Sequence, residues 1–346
     1  MMSFRAGKLS EPVPMSIVNL VAEVNEFKGR QQLYAEQSPQ VLKALQQVAM
    51  VQSTESSNRI EGIEVSERKL KLIMQDKVAP QDRPEGEVAG YRDVLSLIHA
   101  SNSHIGITPN TILQLHRDLF KYIPSEGGRW KHVDNTIDDV LPNGSHIVRF
   151  RTVPAVATPQ AMDELCASYK QYSDSETTPH LLLAATFGFD FLCIHPFRDG
   201  NGRMARLLTL LLLYQGGYEV GRYISLERVI ENSRESYYES LAKSSEGWRE
   251  GEHTLLPWWE YFLGVLIAAC RDFETRVGMV ENTWGAKSEL VRRMAERQVG
   301  DFSLTELMRS CPSVSRDTVR SVLEQMRTEG AVECLGRGRS ARWRRI

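Results

Sequence analysis

The sequence has little of what would mark a secreted, metal-clustered or membrane-embedded protein. Its five cysteines, Cys166, Cys193, Cys270, Cys311 and Cys334, are scattered and odd in number, with no Cys-x-x-Cys pair. Such spacing argues against a disulfide framework or a zinc site and fits reduced thiols. Cys193 stands in an apolar run and reads as a small buried residue. The opening residues MMSFRAGKLSEPVP lack an apolar signal core, and the most apolar windows, 207–214 and 258–270, are too short or too interrupted to cross a bilayer. A soluble, cytoplasmic chain with no membrane partner is the expectation. There is no GxxxxGK(S/T) phosphate loop, internal repeat or low-complexity segment. The net charge of −2 over 346 residues is too small for charge to hold the whole molecule on nucleic acid. The balance fails only locally: GRGRSARWRRI, residues 336–346, holds five arginines and no acid.

What is present is mostly helix. The length suggests two or three domains. Residues 16–52 read as two helices, the second opening on a Ser38–Pro39 cap; a capped helix follows at 65–75, then helices at 84–101 and, with a Thr-Pro start, at 108–123. The pattern changes at Ser125, where paired glycines, β-branched residues and an Asn143–Gly144 turn predict a β-hairpin. Helices resume at 158–172 and 178–194, again after the central motif, and at roughly 224–246 and 255–282. The last stretch reads helix, turn, helix and two short strands around a Gly/Arg loop, the pattern of a winged helix-turn-helix. The expected class is therefore mainly α, with an N-terminal helical region over 1–85, a helical core with a hairpin over 86–282 and a winged helix over 283–346.

The chemistry concentrates in IHPFRDGNGRMAR, residues 194–206. The preceding run is apolar nearly all round and should be a buried helix that Pro196 stops. Asp199, Gly200, Asn201 and Gly202 then form a loop at a second helix's N-terminus, where converging N–H groups and the helix dipole make an anion nest. Arg203 and Arg206 share one face of the first turns. The dipole disfavours cations there, so they make sense as clamps on a polyanion. Asp199 fits if Mg²⁺, or Mn²⁺ in its place, bridges phosphate oxygens and needs one carboxylate. His195 can take a proton from an incoming hydroxyl. Together these residues describe a nucleotide-dependent transferase site.

The run HPFRDGNGRMAR also resembles, without a departure, the HPFx(D/E)GNGRxxR motif of the Fic family, and the likeness extends over a helical core from about 86 to 280. The resemblance implies transfer of AMP from ATP to a hydroxyl side chain of a protein with Mg²⁺. It makes His195 the general base, Asp199 the metal ligand and Gly200, Asn201 and Gly202 the phosphate loop. Arg203 would contact the β-phosphate and Arg206 the γ-phosphate, with Phe197 as apolar anchor. A family branch with lysine in the loop transfers phosphate instead; Gly202 and Arg203 argue for AMP. The hairpin around 130–151 would be a flap that pairs with the target's backbone by strand addition.

Residues 57–62, SNRIEG, resemble the family's inhibitory (S/T)xxxE(G/N) motif. Ser57 and Glu61 lie four apart and face the same way on a helix turn. A glutamate on Arg206 would take the γ-phosphate position and hide the α-phosphate from attack. Tyr238 follows the core at a distance that suits a nucleotide-pocket wall. The expected function is an autoinhibited protein adenylyltransferase acting on an unidentified target, itself included. Two alternatives stay open: a DNA-binding regulator with a nucleotide-sensing core, and an enzyme that mainly removes AMP. DNA would be held through 283–346, with SRDTVRSVLEQMR as recognition helix. A homo-oligomer is compatible with all three.

Overall fold

The computed structural model describes residues 2–37, 39–124, 127–140, 146–281, 286–296, 298, 300–311, 314–336 and 341–345. Helices α1 (Met15–Gln37) and α2 (Pro39–Ile60) open the chain. Helix α2 runs past the end expected near residue 52. Its last turns are rich in Ser, Thr and Asn, a loop-like composition, but these side chains bond inside the helix: Thr54 donates to the Met50 carbonyl at 2.8 Å and Asn58 to the Thr54 carbonyl at 2.7 Å. Next come α3 (Glu67–Met74), α4 (Arg83–Ser101) and α5 (Pro109–Leu119), capped by Ser66, Asp82 and Thr108.

Strands β1 (Thr136–Val140) and β2 (His146–Arg151) pair antiparallel, Thr136 opposite Arg151, with a register shift between Ile137 and Asp138. The Asn143–Gly144 turn lies outside the described residues. Helices α6 (Thr158–Ser175), α7 (His180–Ile194), α8 (Asn201–Gln215), α9 (Leu226–Asn232), α10 (Arg234–Ser245) and α11 (Leu256–Glu281) follow. The single helix expected over 224–246 is two. It breaks at Ser233, whose hydroxyl turns back to the Val229 carbonyl at 2.8 Å.

Then α12 (Ala286–Glu296), β3 (Phe302–Ser303), α13 (Leu304–Arg309), α14 (Arg316–Thr328), β4 (Val332–Leu335) and β5 (Arg342–Arg345) complete the chain. The last three strands form an antiparallel sheet in the order β3-β5-β4, which with α12–α14 is a winged helix.

The chain packs as two compact units. One comprises Met1–Lys28 with Ala44–Cys270, the other Gly29–Lys43 with Arg271–Ile346, so the N-terminal 85 residues are divided between them. The first unit is built on α7, buried from Leu181 to Phe191 without interruption, and on the apolar face of α8. The second has its own core, in which Trp343 of the wing packs with Val319, Leu323 and Met326 of α14. All five cysteines are free, and Cys193 is buried with its thiol pKa pushed up by desolvation. No helix among the described residues is long and apolar enough to cross a membrane.

Candidate active site

Helix α7 ends because Pro196 follows it, and the residue before the proline, His195, takes a left-handed conformation (φ 53°). Such a backbone costs a non-glycine residue roughly 1–3 kcal/mol and persists where its surroundings enforce it. Here they do. Lys131 donates its backbone N–H to the Pro196 carbonyl at 2.8 Å and its ammonium to the Ile194 carbonyl at 3.1 Å, meeting the exposed end of α7 with a cation. Asn135 donates to the Phe197 carbonyl at 3.0 Å. The Phe197 ring is buried and stacks on His116, centroids 3.6 Å apart. Asn201 reaches back four residues, accepting from the Phe197 N–H and donating to the Phe197 carbonyl, both at 2.9 Å. Its side chain is thereby a clip across the loop, leaving only its backbone N–H to the anion nest.

His195 Nδ1 donates to the Leu192 carbonyl at 3.2 Å, which leaves Nε2 as the acceptor. Burial, seconded by the Lys131 charge, lowers its pKa to about 4, so the ring is neutral at pH 7.

Helix α8 starts at Asn201 with Gly200 (φ 80°) at its N-cap, which offers no side chain to cap its first N–H groups. A Cβ on Gly200 would lie 2.8 Å from the Phe120 ring. At Gly202 the neighbour is an anion: an added Cβ would meet Glu61 Oε1 at 2.2 Å. The mouth of the nest therefore already faces a carboxylate.

The two arginines of α8 are both buried and both paired. Arg206 donates to Glu61 Oε1 at 2.8 Å, to Ser57 Oγ at 2.9 Å and to the Ser57 carbonyl at 2.8 Å. Burial works against its charge, but Glu61 and the nearby tyrosines outweigh that and raise its pKa. Arg203 binds Glu87 Oε2 at 2.7 Å, with Asp199 Oδ1 at 3.6 Å and Asn58 Oδ1 at 3.4 Å. Asp199 in turn accepts from Arg83 at 2.6 Å and from the Gly200 N–H at 2.6 Å.

A cavity of about 200 Å³ brings together Glu61, His195, Gly202, Arg206 and Tyr238, with Ile137 and Phe150 of the hairpin in its wall. Asp199 lies outside it and lines a second cavity, of about 500 Å³, with Arg83, Arg129, Trp130 and Arg198. Ser57, Gly200, Asn201 and Arg203 line neither and act from behind. Sequence reasoning missed Arg83, Glu87, Asn58, Lys131 and Asn135. Arg83 and Glu87 are four apart on one helix and read as an ordinary surface pair; the others carry no local signal.

Residues 106–213 match the Fic/DOC family, and residues 292–346 match the C-terminal domain of DIP2311-like transcriptional regulators. The chain thus carries a Fic domain and, after it, a regulator-type winged helix. Its curated relatives include the protein adenylyltransferase Fic of Culex quinquefasciatus, 26% identical over 215 residues, 60% of this chain and 39% of that one. The protein of the same name from Drosophila melanogaster is 26% identical over 266 residues, covering 74% and 49%. The chain therefore spans half or less of the length of these relatives. Among solved structures, a Fic family protein from Desulfovibrio desulfuricans aligns over 97% of both chains at 25% identity and a TM-score of 0.62. A Fic domain containing signaling protein from Bacteroides thetaiotaomicron shares the fold at 20% identity and a TM-score of 0.60, covering 74% of this chain and 97% of its own.

Proposed function

We propose that this chain is a protein adenylyltransferase, transferring AMP from ATP to a hydroxyl side chain of a protein, and that Glu61 holds it in check. The observation that carries the reading is the 2.8 Å contact of Glu61 with Arg206 inside the cavity that also holds His195. In the reaction, the hydroxyl oxygen bonds to the α-phosphorus as the bond to the β-phosphate oxygen breaks. Pyrophosphate leaves, and His195 Nε2 takes the hydroxyl proton. The α8 N-terminus holds phosphate at its free N–H groups, and Arg206, once free of Glu61, holds the far end of the triphosphate.

Asp199 would hold Mg²⁺, or Mn²⁺, which when bound offsets phosphate charge. A single carboxylate suits an ion that keeps its other ligands from phosphate and water, and a cation already rests on this one, the Arg83 guanidinium. The two-stranded hairpin supports a flap role, because among the described residues no strand pairs with the outer edge of either of its strands. Tyr238 lines the nucleotide side of the cavity.

The test is label transfer to protein in Mg²⁺ from ATP labelled at the α- or the γ-phosphate, with wild type, Glu61→Gly and His195→Ala compared, first alone for self-modification and then with cell extract. Transfer of α-label, strongest in Glu61→Gly and absent in His195→Ala, supports the reading. Transfer of γ-label would mean phosphorylation. AMP release from a modified protein, lost on changing Glu61, would instead favour AMP removal, a reading to which the shared cavity of Glu61 and His195 lends itself.

A second activity, DNA binding by 283–346, draws on the match to a regulator domain. Within that unit Arg344 pairs with Asp301 at 2.7 Å and Arg342 lies 3.7 Å from Glu306, so the described wing arginines are partly neutralised. Exposed Arg316 and Arg320 of α14 are then the stronger phosphate contacts. Salt-dependent retardation of a random duplex by the full chain, weakened by Arg320→Ala, tests it; no binding at low salt would exclude it.

A further inference from the structure

Arg83, Glu87, Arg203 and Asp199 close a ring. Arg83 Nε lies 2.5 Å from Glu87 Oε1, the other Glu87 oxygen 2.7 Å from Arg203 Nη1, Arg203 Nη2 3.6 Å from Asp199 Oδ1, and Asp199 Oδ2 2.6 Å from Arg83 Nη2. Two acids and two bases cancel. The ring is also uneven. The Glu87 and Arg203 side chains are only 4% and 1% exposed, whereas Arg83 is 65% and Asp199 50% exposed. Half of it is fixed in the core and half stands in solvent.

We propose that Arg83 is a built-in competitor for the divalent cation: its guanidinium occupies Asp199 until the metal displaces it, and so sets how much metal the site requires. This rests on the reading of Asp199 as the metal ligand. A dication arriving at Asp199 Oδ2 meets the Arg83 guanidinium on that same oxygen, and the two like charges weaken each other's hold on the carboxylate. Exposed ion pairs are weak, with little holding them beyond solvent-screened attraction, so this one exchanges readily. Arg83 also has somewhere to go. Its side chain is 65% exposed, so its head can leave Asp199 for solvent while its bond to Glu87 tethers it. The buried Glu87–Arg203 pair stays in place throughout, so the exchange need not disturb the phosphate clamp.

The competition predicts a specific metal dependence. Mn²⁺ would be titrated into the full chain at fixed ATP, and the protein-bound ion followed by electron paramagnetic resonance, for wild type, Arg83→Gln, Arg83→Lys, Asp199→Asn and the double variant Arg83→Gln/Asp199→Asn. Arg83→Gln should lower the half-saturating Mn²⁺ concentration by up to about fivefold, the range that loss of an exposed ion pair allows. Arg83→Lys, which keeps the charge, should stay near wild type. Asp199→Asn should raise the concentration, and the double variant should match Asp199→Asn alone. An unchanged Arg83→Gln midpoint while Asp199→Asn weakens binding overturns the competitor and leaves the metal reading standing. An equal shift from Arg83→Gln with and without Asp199 would mean a general effect of charge and also overturns it. If Asp199→Asn binds Mn²⁺ as wild type does, the metal reading itself fails. Thermal melting of each variant separates these results from loss of fold.

Discussion

Arg203 and Arg206 stand one turn apart on α8, and each is held by a glutamate from an N-terminal helix region. The two glutamates differ in burial. Glu87 sits inside the first turns of α4 with 4% of its side chain exposed, and Glu61 lies in the turn after α2 with 32% exposed. A carboxylate sealed against a guanidinium cannot leave without stranding both charges, so the Glu87 pair is part of the fold. A carboxylate that keeps contact with solvent can swing away at small cost, so the Glu61 pair is suited to release. The same chemistry thus suits structure at one arginine and, as the proposed brake requires, release at the other.

Several experiments would break or sharpen that contrast. The largest effect belongs to the proposed base: His195→Ala should lower AMP transfer by about 10²–10⁴-fold, measured in the Glu61→Gly background. A fall of less than tenfold would remove His195 from proton transfer. Next, Glu87→Ala should destabilise the protein by about 3–5 kcal/mol in denaturant unfolding, since it strands Arg203 in the core. A loss below about 1 kcal/mol would make the two pairs equivalent.

Glu61→Gly should cost less stability than Glu87→Ala, because Arg206 keeps both its bonds to Ser57, while raising transfer about tenfold or more. Ser57→Ala removes one of three bonds to Arg206 and should cost about 1 kcal/mol of stability without freeing the site. Transfer rising as far as in Glu61→Gly would place the brake on Ser57 instead.

The smallest expected effect is an absence of change. With neutral His195 as the proposed base and burial lowering its pKa to about 4, kcat/KM should stay level from pH 8 down to about 5 and fall only as pH drops through about 4. A midpoint near the ordinary ~6.5 would mean that His195 is solvated in the working enzyme.

Much of the site was legible because its internal bonds are local. Pro196 ends α7, Gly200 permits the turn into α8, and Asn201 clips Phe197 four residues back, all within the stretch 194–206. Capping side chains marked the starts of α3 and α5 in the same way. Two helical bounds were misread for one reason: Ser, Thr and Asn at 53–58 and Ser233 can bond either to their own helix or to a turn, and composition does not choose between them.

The sequence by itself thus determined the helical class, the hairpin, the winged helix and the identity of the motif residues, since these follow from periodicity, capping and contacts a few residues apart. Which charges meet was decided by the tertiary structure alone. Arg206 and Glu61 are 145 positions apart, Arg83 and Asp199 116, and Lys131 and Ile194 63. The SNRIEG motif marks Glu61, but nothing local distinguishes Glu87 from other glutamates on helical segments. Packing α2 and α4 against α8 brings one to a half-exposed rim and the other into the core, and burial then sets the cost of separating each from its arginine.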